Sequence, residues 1–179
     1  MSESSFLNPQ AAVAAMHISP GSRVADLAAG SGFFARAAAR ATGPQGLVWA
    51  VDAHQDMLPR LKNLAVGEGL HNIEVVRGTL EKLGGTKLPD ATMDVALLAN
   101  ALFSIEDKHA AAAEVARVLR KAGRLLLIDW TDSHGGLGPH PDHIVRASEA
   151  KKIFEATGFT QAEDIPAGEY HWGLILRKK

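Results

Sequence analysis

Hydrophobic and polar positions along the chain alternate between two periods. Continuous apolar runs at Val24-Ala25 with Leu27, Leu47–Val51, Ile73 with Val75-Val76, Val95–Ala99 and Leu125–Ile128 have the length of buried parallel strands. Between them apolar residues recur at helical spacing. Phe33, Ala37, Ala38 and Ala41 form one such face, stopped by Gly43-Pro44. Met57, Leu58, Leu61, Leu64 and Ala65 form the next, closed by Gly67 and Gly69. Asp107 can cap a third helix through Ala111, Val115, Val118 and Leu119, ending near Gly123. Pro9 suits the first turn of an opening helix to about His17, and Ser148 begins a late helix with Ile153 and Phe154 turned inward. Thr160–Ile165 and Tyr170–Arg177 are strand-like runs joined by Pro166-Ala167-Gly168-Glu169, a link short enough to force an antiparallel hairpin.

Strand and helix in alternation predict an α/β fold: a doubly wound, mostly parallel sheet, helices on both faces, and an antiparallel C-terminal edge. With 179 residues and no obvious linker, residues 1–179 are expected to form one domain. Residues 1–20 form its N-terminal helical segment, and 130–147 a glycine- and proline-rich loop.

Composition narrows the chemistry. Nineteen basic and twenty acidic residues leave a net charge of −1, so no global field draws the chain to nucleic acid. Cysteine is absent, which excludes disulfides, thiolate metal sites and cysteine nucleophiles. Met1–Phe6 lacks the basic start of a signal peptide, and no apolar run is long enough to span a bilayer. A cytoplasmic protein is the expectation.

The candidate chemistry centres on Arg23–Ala37. An acid, Asp26, stands near the end of a strand; Ala28-Ala29-Gly30-Ser31-Gly32 makes a loop of small residues, and a helix starts at Phe33. Such a loop lets backbone approach a ligand closely, and the helix N-terminus offers free N–H groups. Gly30-Ser31-Gly32-Phe33-Phe34-Ala35 fits G-x-G-x-x-[GA], with Asp52 20 positions beyond Gly32 at the end of the next strand. That fingerprint alone admits a dinucleotide. Two features point elsewhere: Asp26 would repel a pyrophosphate, and the chain closes in a hairpin with no second domain to hold a hydride-transfer substrate.

The set in register resembles a class I S-adenosylmethionine-dependent methyltransferase, similar to the small core-only members near the ubiquinone/menaquinone methylase-like group. Val24–Gly32 resembles the family's first motif, V-L-D-x-G-x-G-x-G, and Val51-Asp52 its second-strand acid. Val118–Leu125 resembles R-V-L-K-P-G-G-x-L, and Gly158-Phe159 the late G-F. Ala28 stands at the family's first glycine, where a methyl group narrows the loop. Gly78-Thr79-Leu80 offers a hydroxyl where the family often has an acid.

The resemblance implies a seven-stranded Rossmann-like sheet in the order 3-2-1-4-5-7-6, and S-adenosylmethionine as cofactor with S-adenosylhomocysteine as product. Asp52 would accept from both ribose hydroxyls and Asp26 face the ammonium. Gly30 and Gly32 would give close backbone approach; Ala53 and Met57 would flank adenine, edged by Thr79 and Leu80. Ala99 and Asn100 would lie near the methionine moiety, with Phe6 and Asn8 closing over it. On the acceptor side the loop from Asp129 to His143 carries His134, His140 and His143. His134 is the candidate general base, with Asp129 and Asn100 the other candidate catalytic residues. No metal is expected there, and Gly138-Pro139-His140 resembles the G-P-P that shapes this loop in related small methylases. The expected function is in-line transfer of a methyl group to an O, N or C atom of a small or medium-sized molecule. The expected oligomeric state is a monomer or homodimer. The alternatives are an NAD(P)-binding oxidoreductase and a non-catalytic S-adenosylmethionine-binding partner protein. Asn100-Ala101-Leu102-Phe103 lacks the N/D-P-P-Y/F/W motif of adenine and glutamine N-methylation. Without cysteine, thiolate-dependent cytosine-C5 and arsenite methylation are excluded.

Overall fold

A computed structural model describes residues 6–179. Among these residues five α-helices and seven strands follow in the order α1 (Pro9–Ala15), β1 (Arg23–Leu27), α2 (Phe33–Thr42), β2 (Leu47–Asp52), α3 (Met57–Gly67), β3 (Ile73–Arg77) and β4 (Met93–Ala99). Then come α4 (Lys108–Val118), β5 (Leu119–Trp130), α5 (Ala147–Ala156), β6 (Phe159–Ile165) and β7 (His171–Lys178). The strands form one sheet in the order β3-β2-β1-β4-β5-β7-β6, the order expected. The first five pair in parallel and β7 joins β5 and β6 antiparallel.

Side chains of neighbouring residues in a strand point to opposite faces, which divides the core in two. Ala25, Leu27, Ala96, Leu98, Leu125 and Leu127 pack with Val115, Val118 and Phe154 of α4 and α5. Val24, Val48, Ala50, Leu97 and Leu126 pack with Val13, Phe34, Ala38 and Leu61 of α1, α2 and α3. By that alternation Asp26 shares the second face with Val24.

One boundary departs from the periodicity. The helix expected to run towards Gly123 ends at Val118, and Leu119 already pairs with Met93 in the sheet. Arg120–Gly123 then form an excursion before the ladder resumes at Val95 and Arg124. Ala122 sits at φ +62, a conformation no helix continues through. The opening helix is likewise shorter than expected, because the chain turns at Met16 and His17 takes φ +46.

The segment between β3 and β4 is pinned to α4 by a buried polar network. Glu114 is fully buried and accepts from the N–H groups of Gly84 (2.7 Å) and Thr86 (3.0 Å). It also accepts from the Thr86 hydroxyl and from Nε and Nη2 of Arg117 (2.8 and 2.7 Å). Arg117 pairs in turn with Asp90. Burial pushes the Glu114 carboxyl up, but Arg117, the Thr86 hydroxyl and the two backbone N–H groups outweigh it and hold its pKa at about 2.

Candidate functional site

The carboxyl ends of β1, β2 and β4 meet at the point where the strand order reverses, the place ligands occupy in open α/β sheets. Two cavities lie there and share Ala28, Gly30 and Asn100. One, of about 320 Å³, is lined further by Val51, Asp52, Ala53, Gly78–Glu81, Ser104 and Ile105. The other, of about 380 Å³, is lined by Leu7, Pro9, Asp26, Ala29, Phe33, Phe34 and Ala99.

Asp52 ends β2 at 6% exposure. Its Oδ2 accepts from the Gly30 N–H (2.7 Å) and its Oδ1 from the His54 N–H (2.8 Å). These bonds fix the carboxylate's orientation and leave Oδ2 a further lone pair for a ligand hydroxyl, while the second lone pair of Oδ1 is free when His54 Nδ1 carries no proton. His54 Nδ1 lies 3.0 Å from Oδ1 with its ring exposed.

Asp26 is 2% exposed, and among the described residues its Oδ2 has no hydrogen-bond partner. Burial, opposed by the Ala35 N–H of α2 and reinforced by the Asp52 charge, pushes its pKa up to about 8. A buried carboxyl oxygen without a donor costs free energy unless something from outside meets it.

The loop between these acids is held in unusual backbone. Ala28 has φ +63, Gly30 +52, Gly32 +79 and Asn100 +55. For alanine the left-handed region costs about 1–2 kcal/mol, and such outliers gather at functional sites. The two glycines do different work. A Cβ on Gly30 would meet nothing within 4 Å, so it would project into open space beside the two cavities that Gly30 lines. On Gly32 it would sit 2.4 Å from Leu61 Cγ. Gly32 caps α2 and lets α3 pack against it, and lines neither cavity.

The remaining expected residues divide in the same way. Ala53, Thr79 and Leu80 line the first cavity, Ala99 the second and Asn100 both, whereas Met57 lines neither. Asn8 is committed to capping α1, its Oδ1 accepting from the Ala11 N–H (3.1 Å), while Phe6 is exposed and 5.3 Å from the Tyr170 ring. Asp129 is 1% exposed and turned into the fold. Its Oδ2 accepts from the Leu102 N–H (2.7 Å) and its Oδ1 from the Trp130 N–H (2.8 Å). Burial raises its pKa to about 6 against those N–H groups and those of Phe103 and Ala101. It therefore anchors the turn that carries Asn100. His134 lies beyond both cavities, with Nε2 2.8 Å from Thr131 Oγ1 and its ring edge-on to Tyr170 at 4.7 Å. Gly138 packs closely, since a Cβ there would lie 2.8 Å from both Asp132 O and the Trp130 ring. Among the described residues no group of three or more His, Cys, Asp or Glu is placed to hold a metal ion. Nor does any helix have the length and apolarity to cross a membrane.

Two residues were not legible in advance. Glu81 lines the first cavity, its Oε1 accepting from the Glu106 N–H (2.7 Å); an acid three positions past Gly78 was the available signal. His171 is 8% exposed, its ring tilted against that of Trp130 at 4.3 Å, and among the described residues neither ring nitrogen has a hydrogen-bond partner. Burial and, to a lesser extent, His134 lower its pKa. Nothing local to His171 announces that burial.

The strand order, with a pocket at its reversal point between a strand-end acid and a glycine turn, defines a Rossmann-like fold. A model of the family described as "Methyltransferase domain" matches residues 25–127, more than half of the chain, and the chain belongs to this family. The ubiquinone/menaquinone biosynthesis C-methyltransferase UbiE of Burkholderia mallei is 32% identical over 119 residues, covering 66% of this chain and 47% of that protein. The UbiE of Paraburkholderia phymatum is 34% identical over 123 residues with the same coverage. The chain thus spans about half the length of these curated relatives. A SAM dependent methyltransferase from Aquifex aeolicus superposes with a TM-score of 0.87 over 98% of this chain and 92% of that one, at 24% identity. A putative type 11 methyltransferase from Sulfolobus solfataricus does so with a TM-score of 0.75 at 22% identity, over 98% and 95%. At those identities the likeness is one of fold.

Proposed function

We propose that this chain binds S-adenosylmethionine and transfers its methyl group in line to an O, N or C atom of a small molecule. The observation that carries the reading is the pairing of Asp52 and Asp26 across one glycine loop. One is a fixed carboxylate with lone pairs to spare, the other a buried carboxyl with an unmet oxygen. A nucleoside with a cationic amino-acid tail satisfies both; a pyrophosphate satisfies neither.

The residues present fit that group. Asp52 would accept from the ribose hydroxyls, Ala53, Thr79, Leu80 and Glu81 would bound the adenine, and Asp26 would meet the ammonium. Ala28, Gly30 and Asn100, which line both cavities, would lie between the two ends, and Ala99 lines the second cavity. When bound, the cofactor supplies an electrophilic methyl group on a sulfonium. The protein's part is alignment and exclusion of water. Asp129, by holding the Leu102 N–H, keeps Asn100 in place, and is a positioning residue. His134 is the candidate proton acceptor for an acidic acceptor atom; among the described residues its Nδ1 has no protein partner.

Calorimetric titration with S-adenosylhomocysteine and NADH side by side tests this. The thioether should bind and NADH should not; the reverse result overturns the reading. The loop glycines give a further expected outcome. Gly30→Ala should cost only about 1–2 kcal/mol of stability yet abolish measurable thioether binding. Gly32→Ala should cost more, about 2–4 kcal/mol, by adding overpacking against Leu61 to the left-handed strain. Urea denaturation beside the titration separates the two; equal losses in both variants would refute the assignment.

A further inference from the structure

Among the described residues the only buried carboxyl oxygen without a hydrogen-bond partner is Asp26 Oδ2. Among the described residues nothing around it balances a negative charge. From β2 the titratable neighbour is Asp52, of like sign. Helix α2 presents the Ala35 N–H, while its Arg36 is turned away to Glu68 and the Gly32 carbonyl. β4 and the segment entering α1 bring Ala99, Asn100, Leu7 and Pro9 to this cavity, none of them charged. An ionised carboxylate isolated in this way takes up a proton instead.

We infer that Asp26 is a neutral carboxylic acid in the unliganded protein and ionises when an α-ammonium group is set against Oδ2, so that ligand capture releases one proton. The inference rests on the reading of the site given above and deepens it. The balance is simple: the O–H bond of the acid breaks, its proton passes to solvent, and the carboxylate left behind pairs with the ligand's ammonium. The cation replaces the proton as the charge that burial demands. A pKa of about 8 for the free protein puts this exchange in the neutral range. The site thereby becomes selective for the amino-acid end of its ligand, since a nucleoside thioether without that end has no means of displacing the proton.

Isothermal calorimetry of S-adenosylhomocysteine in phosphate and in Tris near neutral pH reads the released proton from the difference in apparent enthalpy. About nine-tenths of a proton per site is expected at about pH 7, with binding roughly twentyfold weaker at about pH 6 than at about pH 7.5. 5′-Methylthioadenosine, which lacks the amino-acid end, should bind without proton release, and Asp26→Asn should bind the homocysteine compound more weakly and identically in both buffers. Binding to the unaltered protein with no proton release overturns the inference and leaves the proposed function standing. Release that persists in Asp26→Asn, or that methylthioadenosine also elicits, assigns the proton to another group and overturns it as well. If S-adenosylhomocysteine does not bind at any pH, both the inference and the proposed function fail. Should Asp26→Asn not fold, the comparison of the two thioethers decides alone.

Discussion

Replacing Asp52 with alanine should weaken S-adenosylhomocysteine binding by roughly a hundredfold or more. The side chain stands to accept two ribose hydroxyls, each a charge-assisted hydrogen bond of about 1.5–3 kcal/mol. It also organises the loop, because its two oxygens already hold the N–H groups of Gly30 and His54. Alanine removes both contributions together. Asn keeps one acceptor oxygen, so Asp52→Asn should fall between alanine and the native protein. Titration of both variants, with thermal melting to confirm that they fold, checks the ordering. Unchanged affinity in Asp52→Ala would take this residue out of the site.

The largest loss of stability is expected from Glu114→Ala, at about 3–5 kcal/mol. The substitution leaves Arg117 without its main partner and strands the N–H groups of Gly84 and Thr86. Acid should mimic it. With a folded-state pKa of about 2 against an ordinary value of 4.5, the Glu114 carboxylate contributes stability that is complete above about pH 4.5. That contribution is lost as pH falls towards 2, and amounts to about 3 kcal/mol. Asp26 and Asp129 run the other way, because their pKa values are raised on folding to about 8 and about 6. Their protonation at lower pH favours the folded state, so total stability is a poor measure of Glu114. The difference between the native protein and Glu114→Gln isolates it. That difference, from urea denaturation, should shrink from about pH 5 to about pH 2; a constant difference would refute the assignment. The network also reaches the site, since Gly85 accepts from the Thr79 N–H and Thr79 lines the first cavity. Glu114→Gln should therefore weaken thioether binding even where it remains folded.

Much of the architecture was legible in the sequence because it depends on short-range rules. A continuous apolar run and a 3.6-residue period are properties of neighbouring residues, and they located the five α-helices and seven strands, with most ends within two positions; the end of α4 and the start of β5 were off by five and six. The antiparallel hairpin followed from a four-residue link, and the loop around Gly30 from small residues between a strand and a helix. The positions of Asp26 and Asp52 near the ends of strands were visible for the same reason. At Leu119 the local period failed. Its spacing reads as helix, but pairing with Met93 draws it into the sheet.

Only the tertiary structure decided what each side chain meets. Two glycines of one loop look alike in sequence, yet one faces open space and the other Leu61, far along the chain. Asp129 looks like a loop acid facing an acceptor, and instead spends its lone pairs on the turn after β4. Glu81 reaches the cavity and His171 becomes buried through contacts with residues distant in sequence. Partners of this kind depend on register across the sheet and on which helix covers which face, and no local pattern encodes them. Hydrophobic periodicity thus determined a doubly wound, mostly parallel sheet with acids near its strand ends, and the motif resemblance supplied its Rossmann-like order. That one of those acids is left buried with an unmet oxygen is a consequence of packing.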